Sequence, residues 1–142
     1  MGLTTGAINE KAADNKFLKN GKGRMALKRM VMELGLGTDI SGQDYTKAAC
    51  RAVHNALRQN SLSVADAFGL DREAMQVEII IGVADPDQVD EKAVAAMIPY
   101  GNPAVRIEKG GMNTTRADDS PGPVAANAAL IVSLDLPEGE AA

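Results

Sequence analysis

Apolar and polar positions alternate along "RMALKRMVMELGL", residues 24–36, with Ala26, Lys28, Met30, Met32 and Leu34 on one side and Met25, Leu27, Arg29, Val31 and Glu33 on the other. A period of two predicts a strand, and the first, mostly apolar set predicts its buried face. From about Gln43 to Asn60 the period lengthens. Tyr45, Ala48, Ala49, Ala52, Val53, Ala56 and Leu57 form one stripe at steps of three and four, while Lys47, Arg51, His54 and Arg58 form another, as on an amphipathic helix. Ser41 and Asp44 stand at capping-box spacing before it. "MQVEIIIGV" then predicts a strand with Val77, Ile79, Ile81 and Val83 on one face, and Ile80 on the other predicts a central position covered on both sides. "DPDQVDEKAVAAMI" predicts a second helix, with Asp85 as N-cap, Pro86 at the first helical position, Gln88 at the reciprocal capping position and a stripe of Ala93, Val94, Met97 and Ile98. Pro99 and Gly101 stop it. "AVRIEK" alternates as a strand, "GGMNTTRADDSPGPVA" predicts a long polar loop, and "NAALIVSLDL" closes the pattern as a strand with Ala128, Leu130, Val132 and Leu134 in register.

The order strand, helix, strand, helix, strand, strand predicts an α+β fold, a β-α-β-α-β-β two-layer sandwich with about four strands and two helices on one face. The other face would then show water Ile80 together with Ile131 or Val105. A soluble chain normally hides such a surface in a homo-oligomer, which is the expected state here. One core domain is expected over residues 24–136. Residues 1–23, with Lys11, Lys16, Lys19 and Lys22 and no sustained apolar period, predict a flexible basic arm, and residues 137–142, "PEGEAA", a polar tail.

Composition narrows the function classes. A formal charge of −4 and an aromatic content of 3% leave neither a general basic field nor stacking rings for nucleic acid. The longest apolar runs fall short of a membrane span, and Gly6 stands where a myristoylation signal wants Ser or Thr. A single cysteine precludes an intrachain disulfide, and with no leader pattern the expected location is cytoplasmic. No cofactor is expected.

Candidate chemistry concentrates in "GLGTDISGQD", residues 35–44, between the first strand and first helix. Gly35, Gly37 and Gly42 permit positive φ or close backbone approach, and amides at a helix N-terminus can bind an anion. The spacing matches neither a dinucleotide fingerprint nor a P-loop, so a sharp turn with a helix cap and a ligand-lining loop both remain open. Asp39 and Asp44 could hold a hard cation with Glu33, but the spacing fits no calcium loop, and no metal is expected. Cys50 and His54 are four residues apart with no further zinc ligands; they read as a core residue and a solvated one, with a nucleophile pair as the alternative. A second candidate is Lys109 followed by Gly110 and Gly111, where an ammonium beside two backbone amides could stabilise an oxyanion and where ordinary turn chemistry serves equally well.

The stretches "MVMELGLGTDISGQDYTKAACRAVHNAL", "VADPDQVDEKAVAAMIPYG", "VRIEKGGM" and "ANAALIVSLDL" resemble the Lin-type conserved hypothetical family of bacteria and plants, known by a G-x-G-x-D-x-H-G motif. The resemblance covers about residues 28–136. Gly35, Gly37, Asp39 and Gly42 match the motif, and Ser41 stands where the family has histidine. More distantly, "TKAACRAVHNAL" and "VEIIIGVADPDQV" are similar to one repeat of the cyanuric acid hydrolase and barbiturase ring-opening amidohydrolases. That likeness implies a homotrimer with clefts between subunits, although no serine here has the Ser-Gly-Gly context of those enzymes.

The expected function is therefore a homo-oligomer, with a trimer favoured, that binds a small polar or cyclic amide-like ligand in intersubunit clefts, with hydrolysis as a further step. Asp39, Asp44 and Lys109 are the candidate catalytic residues, and Gly35, Gly37, Gly42, Gln43, Gly110 and Gly111 the candidate ligand-binding residues. The alternative is a noncatalytic assembly or regulatory protein that engages an acidic partner through its basic N-terminal arm.

Overall fold

The computed structural model describes residues 24–59 and 63–139. The expected basic arm and the last three residues of the expected tail lie outside them. Five strands form one mixed sheet: β1 (Met25–Asp39), β2 (Gln76–Val83), β3 (Asn102–Lys109), β4 (Met112–Thr115) and β5 (Pro121–Pro137). Helix α1 (Tyr45–Gln59) and the short helices α2 (Val64–Ala67) and α3 (Glu91–Ala95) connect them, giving the α+β class expected.

The strand order is β1-β5-β2-β3. β5 is antiparallel to β1 and β2, β2 and β3 run parallel, and β4 pairs with the first residues of β5 beyond the end of β2. The last strand, β5, lies between β1, which forms one edge of the sheet, and β2, so β1 and β2 do not pair although they are consecutive. The core lies between the sheet and α1, where Met75, Val77, Ile79, Ile81, Leu130 and Leu134 are buried. Full burial of an aliphatic side chain of this size contributes about 1.5–3 kcal/mol. Tyr45, Ala48, Ala49, Ala52, Val53 and Ala56 of α1 close over them, while Lys47, Arg51, His54 and Arg58 stay exposed as the sequence predicts.

Several expectations are corrected. In β1 the register shifts between Arg29 and Val31, a bulge that exchanges the two faces of the strand. After it, Val31, Glu33, Gly35, Gly37 and Asp39 face the helix, whereas Met32, Leu34 and Leu36 are 56%, 64% and 56% exposed on the uncovered face. Val105 pairs with Ile79 and belongs to the helix side, not to the uncovered one; Ile80 and Ile131 do face that way. The predicted second helix is split into a 3-10 turn at Pro86–Gln88 and α3, with Val89 extended between them. Thr46 bridges the break: its hydroxyl donates to the Gln88 carbonyl and accepts from the Asp90 amide. Asp90 rather than Asp85 caps α3, accepting from the Lys92 and Ala93 amides, and Asp85 instead accepts from Gln88 Nε2 at 2.6 Å. The long polar loop is a hairpin. Residues 112–115, all exposed, form β4, and β5 begins at Pro121.

Candidate functional site

β1, β2 and β3 run in one direction, so Asp39, Val83 and Lys109 end at the same edge of the sheet, beside the β4–β5 hairpin. Carboxyl ends of strands are where open sheets commonly place ligands. What the residues there do is set by their contacts.

Gly35 and Gly37 lie beneath α1. A Cβ added at Gly35 would stand 2.1 Å from the Ala52 carbonyl oxygen, and one at Gly37 would stand 2.2 Å from both the Ala48 oxygen and the Ala52 nitrogen. The strand and helix backbones therefore touch, glycine against alanine, and the first two glycines of the motif are consumed by packing. α1 also satisfies the outer edge of β1: Asn55 Oδ1 accepts from the Leu36 amide at 2.9 Å, and Arg51 Nη1 donates to the Thr38 carbonyl at 2.7 Å. That protects this part of the edge from further strand pairing.

The remaining loop folds around Asp39. Its carboxylate is 3% exposed, and Oδ2 accepts from the amides of Gly42 (3.1 Å) and Asp44 (2.9 Å). Lys47 Nζ and Arg51 Nη1 stand 3.6 and 3.7 Å from Oδ1. The Asp44 amide, with the two cations and the Gly42 amide, holds the Asp39 carboxyl below the ordinary carboxylate range despite its burial. The loop does hold an anion at the start of a helix, and that anion is its own aspartate. Asp44, not Ser41, caps α1, with Oδ1 accepting from the Lys47 amide at 3.0 Å, and the helix begins at Tyr45. Gln43 takes a φ of 55° and its side-chain amide donates to the Gly122 carbonyl. Asn113 Nδ2 donates to the Tyr45 hydroxyl at 2.6 Å, and Arg116 reaches both Pro121 and Ile40 carbonyls at 3.2 Å. The bonds Gln43–Gly122, Asn113–Tyr45 and Arg116–Ile40 tie the hairpin to the β1–α1 loop and the start of α1.

Lys109 is exposed at the end of β3. Asp39 and Lys109 lie on strands three pairings apart, on the order of 14 Å, too far to act on one small group within a single chain. Gly110 donates its amide to the Val83 carbonyl and packs against Gly82, and Gly111, at φ 59°, leaves a Cβ only 2.1 Å from the Ala125 oxygen. Both glycines let the chain cross the end of β2 and return as β4. The structure thus gathers Asp39, Gly42, Gln43 and Asp44 in one network and places Lys109, Gly110 and Gly111 on the far side of the sheet end.

Cys50 is half-buried against α3 with Sγ 3.8 Å from the Ala93 carbonyl, and burial pushes its thiol upward, away from a reactive thiolate. His54 is exposed one turn later. Among the described residues no three His, Cys, Asp or Glu gather to hold a metal, and no helix is long and apolar enough to cross a membrane. Sequence reading missed Tyr45, Asn113 and Arg116 as bridging residues; only the structure reveals the hairpin that brings the last two to the loop.

A two-layer α+β domain with a glycine-lined first strand and an aspartate-centred loop defines the class. The profile of the conserved hypothetical protein family Lin0512_fam matches residues 29–132, and the chain belongs to that family. Its fold is also similar to the crystal structure of an FtsZ-like protein of unknown function from Nostoc punctiforme PCC 73102. The two are 38% identical with a TM-score of 0.71, and the match covers 79% of this chain and 99% of that one. No curated protein matches. Neither description names an activity, so the likeness to ring-opening amidohydrolases gains no support from them.

Proposed function

We propose that this protein works as a homo-oligomeric assembly protein whose subunits meet through the uncovered face of the sheet. One observation carries the reading: Leu27, Met32, Leu34, Leu36 and Met112, each between 49% and 64% exposed, line that face beside the sheet residues Ile80, Ala129 and Ile131. Such a stripe is on the order of 500 Å², at the upper end of what a monomer leaves in water. The carboxylates at the sheet end support it from the other direction. Asp39 is shielded and held ionised, which makes it a weak base, and Asp44 is occupied as a helix cap, so neither is poised for acid-base work.

Light scattering on the full chain tests the reading. The expected mass is a multiple of the chain mass, with a trimer favoured, and Leu34→Glu with Leu36→Glu should give a folded monomer. A monomeric wild type, or a double variant that stays assembled, would sink it.

A second reading is favoured by exposed Lys109 beside Gly110 and Gly111 at the strand ends. Here a small polar or cyclic amide-like molecule binds in a cleft completed by a neighbouring copy, without hydrolysis by Asp39 or Asp44. Titration calorimetry with barbituric acid should then show binding that Lys109→Ala weakens and that the monomeric double variant loses. Equal heats for wild type and Lys109→Ala would refute it.

A further inference from the structure

The end of the sheet opposite Asp39 contains a cavity of about 330 Å³ lined by Lys28, Phe68, Leu136, Pro137 and Gly139. Its origin lies in element lengths. Fifteen residues of β1 extend roughly 50 Å, whereas the fifteen of α1 extend only roughly 22 Å. α1 starts over the Asp39 end, so its C-terminus falls well short of the first residues of β1. On the helix-side face, where Ala26 and Lys28 pair with Leu136 and Leu134, Phe68 at the end of α2 stands beside Lys28 and Leu136. Among the described residues, about one turn of helix and one ring stand there, less than a full helix would supply.

The lining is chemically lopsided. Among the described residues of the lining, Phe68, Leu136 and Pro137 supply apolar wall and Lys28 the one charged group. Among the described residues Lys28 has no ion pair, whereas the cations at the other end of the sheet, Lys47 and Arg51, are matched to Asp39. The volume stands at the lower end of the range for small-molecule sites, enough for roughly ten to fifteen non-hydrogen atoms. An ammonium at the rim of an apolar pocket is complementary to a short chain or ring ending in a carboxylate.

We propose that this cavity is a binding site for a small amphipathic carboxylate, its apolar body against Phe68, Leu136 and Pro137 and its head on Lys28 Nζ. The site is distinct from the Asp39 loop and from the uncovered sheet face, and it does not depend on the oligomer reading. Octanoate, with ten non-hydrogen atoms, is the probe. Titration calorimetry on the full chain should give saturable binding, weakened about tenfold or more by Lys28→Met, and octanol should bind wild type about as weakly as octanoate binds that variant. Leu34→Glu, on the opposite face, should leave octanoate affinity unchanged. Circular dichroism verifies that each variant is folded, and Lys28→Arg, which keeps the charge, should retain binding if Lys28→Met is unfolded. Absence of saturable octanoate binding to wild type, equal affinity in a folded Lys28→Met, or loss of binding in Leu34→Glu would each overturn the proposal.

Discussion

Replacing Gly37 by alanine adds one methyl group where there is no room for it. The new Cβ would stand 2.2 Å from the Ala48 oxygen and the Ala52 nitrogen and 2.7 Å from the Arg51 carbonyl carbon, all backbone atoms of α1. Backbone cannot rotate out of the way as a side chain can, so the whole helix must lift by about an ångström or the strand must bend. Overpacking of a core by one methylene commonly costs about 1–3 kcal/mol, and a clash with helix backbone belongs at the upper end of that range. Against it stands a gain of roughly 0.5–1 kcal/mol, because alanine loses less conformational freedom than glycine in a strand. The net loss is about 2–2.5 kcal/mol, which for a chain of this length lowers the melting temperature by about 7–8 °C. Differential scanning calorimetry of the full chain measures it, with Gly139→Ala as the control, since a Cβ there meets open space. A Gly37→Ala protein that melts with the control would mean that strand and helix are not in backbone contact, and the glycine would then have to be explained by close approach of a ligand.

Asp44→Ala removes the α1 cap and should cost about 1 kcal/mol in urea denaturation, with no change in oligomeric mass; a loss of assembly instead would place Asp44 at a subunit contact. Tyr45→Phe cuts the tie to Asn113 and should cost roughly 0.5–1.5 kcal/mol, with hydrogen exchange in β4 accelerated before that in β2; uniform acceleration would contradict a hairpin latched through Tyr45. Asp39 has a lowered carboxyl in the folded state, so the stability it contributes is present above the unfolded value near 3.8 and is lost as pH falls through the lower folded value. Asp39→Asn should therefore melt below wild type at pH 7 and converge with it in strong acid, and a constant gap across that window would refute the account. Asp135 behaves oppositely: burial raises its carboxyl, so its ionisation opposes folding as pH rises above 3.8, and Asp135→Asn should gain on wild type between pH 4 and 7. A gap that is flat or narrows over that range would show that the carboxylate is paired when folded.

The fold class was legible because α1, β2 and the second half of β5 carry clean periods. Val77, Ile79, Ile81 and Val83 are buried at every second position, and the alanine stripe of α1 points inward as its spacing requires. β1 misleads because its bulge inserts one residue into an otherwise regular alternation, and no local residue type announces it. The same glycines that looked like a ligand loop are explained only when α1 is laid across them, a contact between residues about fifteen apart that periodicity does not encode. β4 is invisible for a different reason. Its residues are all exposed and owe their conformation to Gly111 and to pairing with β5, not to any apolar pattern of their own. The candidate site divided along the same line: Asp39 was picked out by its setting, but its duty as the loop's internal anchor depends on amides and cations that only the tertiary structure brings within reach.

β5 is flanked by β1 along one side and by β2 and then β4 along the other, and β1 and β2 never touch as strands. During synthesis it emerges after every strand it joins. Until then the ribosome carries a β1–α1 unit with an unsealed apolar strand and a β2–β3 pair with no shared partner, so the full sheet cannot form before β5 emerges. Folding consequently waits for β5 and is dominated by β1–β5 contacts between residues about a hundred positions apart, which places it among the slower single domains and exposes the unpaired strands to chaperones.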